Sequence, residues 1–345
     1  MRTILTTVGT SLLTNAKRAL KLPELTERQA ADFLKGTPLA QASAETNSLS
    51  HLLQSGDAVA LLHSETEEGR FCGRALQAFL EKQKYRVTLH EIAHLTYKEA
   101  AFKLRGLREL AGTLAGLIRR ARREGKDVAI NATGGFKAET AFATQVGQIF
   151  GVPVYYLHEA FSAIIEMPPT PIGWDYSLLA ENEDFFAWLS GDIRKTTDVD
   201  RHAPSLPLGV RLLLAEEEGY TFLSALGEAY FEAYQERLEE AQAVPLLLSA
   251  KARKTYASAE PATQELFDKV LVRLRLRPLR INNSHQVRDC DCPVFPSGRY
   301  AARLFYSEDA DGALKVMELA LHDRSYDTLI ARGVQRKNYE DFQPL

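Results

Sequence analysis

The sequence predicts an α/β protein that begins with a parallel sheet and ends with a smaller α+β unit. Up to about residue 165, short apolar runs alternate with amphipathic stretches. A proline-rich segment, EMPPTPIGWD, then interrupts the pattern, and an arginine-rich stretch with two strand-like runs follows near the end. At 345 residues, 45% of them hydrophobic and 25% charged, the chain has the composition of an ordinary globular protein and the length of two or three domains.

The first part of the chain carries five strand-like runs with helical patterns between them. The apolar runs cover residues 3–9, 57–64, 85–92, 127–133 and 152–158. The helical patterns cover residues 70–84, 101–123 and 137–150. Apolar strands separated by amphipathic helices indicate a parallel sheet that is covered on both faces. We therefore predict a Rossmann-like domain, which binds ligands at the carboxyl ends of its strands.

The rest of the chain predicts two further modules. The proline-rich segment can continue neither a helix nor a central strand, so it marks the exit from the first domain. A helix, a short strand with a glycine-bounded turn and a second helix follow, which is the outline of a small winged-helix module. The last segment has two helical stretches and then two strand-like runs. The predicted domains are residues 1–167 for the sheet, 168–204 for a linker, 205–243 for the winged helix and 244–345 for the α+β unit.

Composition argues against several classes of protein. The formal net charge is −3, so the surface is not basic throughout. No apolar run is long enough to cross a bilayer, and the first residues lack the apolar core and cleavage site of a signal peptide. The three cysteines, Cys72, Cys290 and Cys292, are too few for a disulfide framework, which favours the cytoplasm. Cys290 and Cys292, even with His285 and His322 as extra ligands, lack the usual spacing of structural zinc, so we expect no metal.

The stretch INATGGFKAET, residues 130–140, points to an anion-binding edge of the sheet. A strand ends there in two adjacent glycines, which allow close backbone approach or positive φ, and a helix with unpaired N–H groups begins. Donors gather at this strand end and at the end of the first strand, which suits phosphate and sugar oxygens. The alternative is a tight turn in which glycine only relieves crowding. The candidate ligand residues are Thr10, Ser11, Asn131, Thr133, Gly134, Gly135 and Lys137.

The motifs NATGGFK and TTVGTSLLTN resemble those of the CRISPR-associated Rossmann-fold (CARF) sensor family. The resemblance covers roughly the first 165 residues. It implies a homodimer that binds one cyclic oligoadenylate across its two-fold axis, with the phosphate ring as the anion. The matching positions would line the ligand site, and Glu65, in the loop after another strand, is an additional candidate.

An arginine-rich stretch without acidic residues lies in the last unit. Its members are Arg273, Arg275, Arg277, Arg280 and Arg288. Tyr300, Tyr306 and Tyr326 follow among further basic residues. Such a mixture fits an RNA surface, where cations hold phosphates and rings stack on bases. The alternative is an ordinary solvated face.

The segments SGRYAARLFYSE and ALKVMELALHDRSYDTL resemble the RelE family of mRNA interferases. Arg303 matches the strand arginine of that family, and Arg324 and Tyr326 match its late arginine and tyrosine. His322 resembles a histidine that some members use. The paired lysines of the family have no clean counterpart here, and the candidates to replace them are Arg280, Arg288 and Arg299.

The RelE resemblance implies that RNA is cleaved without a metal or cofactor. The ribose 2′-OH would lose its proton and attack the adjacent phosphorus. Tyr326 or His322 would take that proton, and Arg303 with Arg324 would stabilise the negative charge that develops on the phosphoryl oxygens. The alternative for His322 and the aspartate that follows it is a polar pair at a strand end.

Together the two resemblances imply an effector of a type III CRISPR system, similar to the CRISPR-associated mRNA interferases. The expected activator is cyclic tetra-adenylate, and the expected partners are a second copy of the chain, the ribosome and the mRNA, which is cut in the ribosomal A site. One alternative is a messenger-responsive transcription regulator that uses the winged helix, and another lets the sensor also hydrolyse its ligand. The winged-helix segment would repel a DNA duplex, because its charged residues are Glu216, Glu217, Glu218, Glu228, Glu232, Glu236, Glu239 and Glu240 against Arg211 and Arg237.

Overall fold

The computed structural model of the protein describes residues 1–96, 104–158, 163–298 and 300–345. The chain divides into two compact units. The first consists of Met1–Ile172 with Ala187–Ala233, and the second of Gly173–Phe186 with Tyr234–Leu345. The four domains drawn from the sequence have different limits and remain a prediction. Within the described ranges, no helix is both long and apolar enough to cross a bilayer.

A six-stranded sheet forms the centre of the first unit. Its strands are β1 (Arg2–Val8), β2 (Ala58–Ser64), β3 (Arg86–Ile92), β4 (Asp127–Asn131), β5 (Val154–Tyr156) and β6 (Ile165–Met167). They are ordered β3-β2-β1-β4-β5-β6. The five predicted strands are confirmed and run parallel, whereas β6 pairs with β5 in the antiparallel direction. The strand order changes direction between β1 and β4, which is where an open sheet of this kind offers a crevice for ligands.

Within the described residues, seven helices of the first unit lie along the chain between β1 and β5. They are α1 (Ser11–Leu20), α2 (Glu27–Gly36), α3 (Leu39–Ala42), α4 (Ala44–Leu52), α5 (Glu67–Lys82), α6 (Arg105–Arg123) and α7 (Lys137–Phe150). The last three confirm the predicted helical patterns, although residues 97–103 at the predicted start of α6 lie outside the described residues. The first of them, α1, begins at Ser11, directly after the end of β1.

The helices α1 to α4 follow one another closely, with a capping residue before two of them. Thr26 and Ser43 each accept a hydrogen bond from the backbone N–H three residues later, which satisfies one of the N–H groups that a helix start leaves unpaired. Their apolar faces meet β1, β2 and α5 in one buried cluster that includes Ile4, Leu12 and Leu61. This packing fixes the start of α1 and of α4 beside the carboxyl end of β1.

A small three-stranded sheet completes the first unit. It contains β7 (Arg194–Lys195), β8 (Leu214–Glu217) and β9 (Tyr220–Leu223), ordered β7-β9-β8. Glu218 and Gly219 both have positive φ, as the two-residue turn of a tight hairpin requires. The next helix along the chain, α8 (Ser177–Glu181), belongs to the second unit, and α9 (Glu183–Leu189) passes from the second unit to the first. The helices α10 (Thr196–His202) and α11 (Leu208–Arg211) belong to the first unit, and α12 (Ala225–Ala241) begins in the first unit and ends in the second. Residues 168–204, predicted as a linker, therefore carry three helices and a strand.

The acidic residues of the hairpin and of α12 have arginine partners on α6. Arg108 Nε lies 3.1 Å from Glu228 Oε2, and both side chains are buried. Arg105 Nε lies 2.9 Å from Glu217 Oε2, and Arg119 forms an ion pair with Glu232. The acidity that the sequence shows in this segment is thus matched by basic residues of the sheet domain.

The second unit is an α+β fold around a four-stranded sheet. Its elements are β10 (Leu246–Leu248), α13 (Ala250–Ser258), α14 (Pro261–Arg275), α15 (Arg277–Asn282), β11 (Val294–Phe295), β12 (Ala302–Glu308), β13 (Leu314–Leu321), α16 (Arg324–Arg332) and a short 3-10 helix (Arg336–Asn338). The sheet order is β10-β13-β12-β11. The two predicted strands are confirmed as the antiparallel pair β12 and β13. The segment after β13 is a helix, which the sequence did not predict, and Asp323 caps it through Ser325 N.

Candidate functional site

Two loops meet at the carboxyl ends of β1 and β4. The Thr7 hydroxyl donates to Gly134 O at 2.6 Å, and a Cβ added to Gly9 would lie 2.6 Å from Gly135 N. Gly135 also has a φ of +90°. Glycine is therefore required here, because a side chain on Gly9 would collide with the facing loop and Gly135 adopts a backbone conformation that other residues rarely take. The structure confirms that these two strand ends lie side by side.

Two buried carboxylates hold the loops in place, and the sequence analysis found neither. Glu45, in the first turn of α4, accepts from Gly9 N at 2.8 Å and from the Ser11 hydroxyl at 3.2 Å. Glu139, in the first turn of α7, accepts from Phe136 N at 3.2 Å. Both side chains are almost fully buried. The Ser11 hydroxyl, which was expected to face a ligand, thus donates to a carboxylate of the protein itself.

Asn131 and Thr133 also act inside the protein. Asn131 is fully buried, and its amide nitrogen donates to the Ser48 hydroxyl at 2.9 Å. Its amide oxygen accepts from the Thr133 hydroxyl at 2.8 Å, which in turn accepts from Leu157 N at 3.1 Å. These contacts tie the end of β4 to α4 and to the chain that follows β5. They position the loop rather than present donors to solvent.

The solvent side of this edge carries the remaining predicted residues. Lys137, in the first turn of α7, and Gly135 are exposed, and Thr10 is half-buried. Glu65 is half-buried in the loop after β2, the strand beside β1. Phe136, which the sequence analysis passed over, is 47% exposed. An anion at this edge would meet the start of α7, where the helix dipole and the lysine both favour negative charge.

Part of the chain matches a known family model. Residues 40–170 match the model of a family described as CRISPR-associated protein (Cas_APE2256). The match includes Glu45, Lys137 and the glycine pair, and it covers less than half of the chain. No curated protein sequence matches this chain.

Two solved structures are similar to the chain at low identity. Protein VC1899 from Vibrio cholerae is 10% identical with a TM-score of 0.30, and the match covers 93% of this chain and 77% of that one. Can2 from Sulfobacillus thermosulfidooxidans, solved in complex with cyclic tetra-adenylate, is 12% identical with a TM-score of 0.26, covering 75% and 69%. Scores this low support no argument about ligand or activity.

In the second unit, Arg303 is a buried residue at the start of β12, next to the loop that precedes this strand. Its guanidinium donates to the carbonyl oxygens of Tyr300 at 2.6 Å and of Ala302 at 3.0 Å, and also to that of Gly298. Burial lowers the pKa of Arg303. The side chain therefore holds the shape of the loop. Arg299, the candidate beside it, lies outside the described residues.

Tyr326 is the centre of a group of polar side chains, which we call the Tyr326 cluster: Arg303, Tyr326, His285 and His322. Tyr326 Oη lies 3.4 Å from His285 Nε2, and the rings of His322 and Tyr326 meet edge to face at 5.4 Å. Burial raises the pKa of Tyr326, while the charge of Arg303 opposes the rise. Three of the four members were predicted from the sequence. Arg324 is exposed at the first position of α16.

His285 is placed in the cluster by a backbone bridge. It forms an isolated bridge with Val294 of β11, and nothing local in the sequence predicts that pairing. From the sequence it was weighed only as a metal ligand. In the part of the chain that the structure describes, no three His, Cys, Asp or Glu side chains are grouped to hold a metal. Cys290 and Cys292 are buried, and Cys290 Sγ accepts from Val334 N at 3.3 Å.

The five arginines predicted for RNA binding differ in how far they are exposed. Arg273 is buried, with Nη2 2.6 Å from Glu183 Oε2, and Arg280 is buried, with Nη2 3.0 Å from Glu308 Oε2. Arg275 is half-buried, and burial lowers its pKa. Arg277 and Arg288 are exposed. A basic RNA-binding surface in this region would therefore depend on the last two.

Proposed function

We propose that the chain is an effector of a type III CRISPR system, in which a cyclic oligoadenylate activates a ribosome-dependent mRNA endoribonuclease. The observation that carries the proposal is the match of residues 40–170 to a CRISPR-associated family model, because it includes the loop after β4 and Glu45, which hold one side of the switch point of the sheet. The likeness of the last unit to RelE interferases supplies the reaction. The messenger would be cyclic tetra-adenylate, bound by a homodimer.

The sensor would bind phosphates through the start of α7. Glu45 and Glu139 already occupy Gly9 N and Phe136 N, so the phosphates would meet the other N–H groups of the first turn together with Lys137. Because two carboxylates lie beneath the edge, the charge of Lys137 is needed to offset their repulsion of a phosphate. Phe136, exposed beside the lysine, offers a ring to an adenine base.

The ribonuclease would use the Tyr326 cluster on RNA that another surface holds in line. The 2′-oxygen forms a bond to phosphorus as its proton leaves toward Tyr326, and the bond from phosphorus to the 5′-oxygen breaks. The negative charge on the phosphoryl oxygens would be stabilised by the exposed Arg324. Arg303 would act through the loop that it holds. The product would end in a 2′,3′-cyclic phosphate.

Activation would reach the ribonuclease through α12. This helix is tied to α6 by the ion pairs of Glu228 and Glu232, and its chain continues past Ala233 into the second unit. A ligand can shift such an arrangement only if it binds the active form more tightly than the inactive one.

A translating extract tests the proposal. The full-length protein is added with no ligand, or with cyclic tri-, tetra- or hexa-adenylate, and the ends of the mRNA are sequenced. We expect new ends at ribosomal A sites with the tetra-adenylate. Intact mRNA under all four conditions would contradict the proposal.

A further inference from the structure

His285 is held rigidly beside Tyr326. Its backbone N donates to Val294 O at 3.0 Å and its backbone O accepts from Val294 N at 2.9 Å. Those contacts direct its Nε2 to Tyr326 Oη at 3.4 Å. Its other ring nitrogen, Nδ1, is buried and has no hydrogen-bond partner within the described residues.

The surroundings of His285 favour the neutral imidazole. Its pKa is lowered by burial first, and then by the charges of Arg303 on β12 and His322 at the end of β13. A neutral imidazole carries one N–H and one lone pair. If the proton is on Nδ1, the lone pair of Nε2 faces the hydroxyl of Tyr326. The ring is then a proton acceptor beside a phenol whose own pKa is raised by burial.

A buried ring nitrogen without a partner costs stability. Tyr326, for its part, gives up its proton only rarely near neutral pH, since an unperturbed tyrosine has a pKa of about 10. His285 offers a proton acceptor, which Tyr326 needs in order to give up its phenolic proton.

We infer that His285 accepts the phenolic proton of Tyr326 as Tyr326 takes the proton of the attacking 2′-OH. The inference rests on the proposed ribonuclease function. In this step the 2′-oxygen proton passes to Tyr326 Oη and the phenolic proton passes to His285 Nε2. The bond from the 2′-oxygen to phosphorus forms, the bond to the 5′-oxygen breaks, and the 5′-oxygen takes a proton from water. The imidazolium then returns its proton to solvent, and free tyrosinate is never needed.

The test is single-turnover cleavage of ribosome-bound mRNA by the full-length protein with cyclic tetra-adenylate. His285→Gln keeps a polar group near the phenol but cannot accept its proton, so we expect a loss of roughly 100-fold in rate, within the range of general-base effects. We expect messenger affinity to stay unchanged and the melting temperature not to fall. His285→Asn is measured in parallel in case the glutamine does not fit. His51→Gln, at an exposed position on α4, is the matched control and should cleave normally.

A pH profile separates proton transfer from a structural role. The rate of the wild type should fall as acid protonates His285, at a pH below the ordinary imidazole range because its pKa is lowered. That acidic limb should be absent from His285→Gln and should persist in His322→Gln. The groups facing His285 are Arg303, His322 and Tyr326.

The controls distinguish two kinds of failure. One outcome is that the wild type cleaves and Tyr326→Phe does not, while both His285 variants keep the full rate and the acidic limb. In that case the proton relay from Tyr326 to His285 is wrong, and the proposed function stands. If Tyr326→Phe cleaves like the wild type, the relay is wrong together with the catalytic assignment. If the wild type does not cleave ribosome-bound mRNA at all, the proposed function itself fails and takes the relay with it.

Discussion

At the scale of residues, the ligand edge combines two buried carboxylates with an exposed lysine. Glu45 and Glu139 fix the loops, and Lys137 stands in the first turn of α7. The lysine is separate from the buried network, so its replacement should change binding without changing the fold.

Lys137→Glu tests the charge of this edge. The substitution removes a cation from the phosphate site and adds a third carboxylate, so we expect the affinity for cyclic tetra-adenylate to fall at least roughly 10-fold, since a charged hydrogen bond contributes about 1.5–3 kcal/mol. Isothermal titration calorimetry measures this affinity. Lys35→Glu, at an exposed position in the last turn of α2, makes the same charge change elsewhere and should bind normally. Equal affinity for both variants would remove Lys137 from the site.

The two candidate catalytic arginines should respond differently to truncation. Arg324 is exposed, so Arg324→Ala should reduce cleavage roughly 100-fold at an unchanged melting temperature. Arg303 holds three carbonyl oxygens, so Arg303→Ala should reduce cleavage and also lower the melting temperature. Messenger affinity should stay the same in both. Thermal melts and cleavage assays on the same samples distinguish these two roles. A stable but inactive Arg303→Ala would instead show that Arg303 acts directly in catalysis.

The sequence predicted residue types at the sites better than it predicted their contacts. The glycine pair was found because close approach and positive φ leave few other choices. Asn131 was expected to face a ligand, yet its amide is fully used by Ser48 and Thr133. Glu45 and His285 were missed as site residues because each reaches its site from a distant part of the chain, through tertiary contacts that no local pattern records.

At the scale of elements, ion pairs join α6 to α12. The acidic composition of residues 205–243 did not predict this contact. Glu228 accepts from Arg108 at 3.1 Å and from the Ser190 hydroxyl at 3.0 Å. Both members of the ion pair are buried. Removal of one partner from such a pair leaves a charge without compensation.

Glu228→Ala should therefore destabilise the protein by about 3–5 kcal/mol, the usual range for a broken buried pair. Glu240, further along the same helix, pairs with Arg237 at the surface, and Glu240→Ala should cost less than about 1 kcal/mol. Urea unfolding followed by circular dichroism compares the two. Similar midpoints for both variants would show that the buried pair contributes little.

Elements were predictable where they were long and had clear boundaries. The helix α7 was predicted to the residue, because it lies between the glycine pair and Gly151, which caps it in the left-handed conformation. The helices α1 to α4 were missed because each has at most ten residues, too few for a clear helical period. The helix α16 was not predicted, because its capping by Asp323 was not recognised.

At the scale of the whole molecule, the proposal assigns sensing to the first unit and cleavage to the second. The Tyr326 cluster contains a phenol with a raised pKa and a buried arginine that already has backbone partners. A cluster of this kind cleaves freely moving RNA slowly, so catalysis must depend on how the substrate is positioned. The ribosomal A site would supply that geometry, and the messenger would control access to it.

The most direct measurement compares ribosome-bound mRNA with the same RNA free in solution. Purified full-length protein is incubated with each substrate, with and without cyclic tetra-adenylate, and initial cleavage rates are recorded. We expect rapid cleavage only of the ribosome-bound mRNA, only with the messenger, and slow or undetectable cleavage of free RNA. Equal rates on free and ribosome-bound RNA would contradict a ribosome-completed active site.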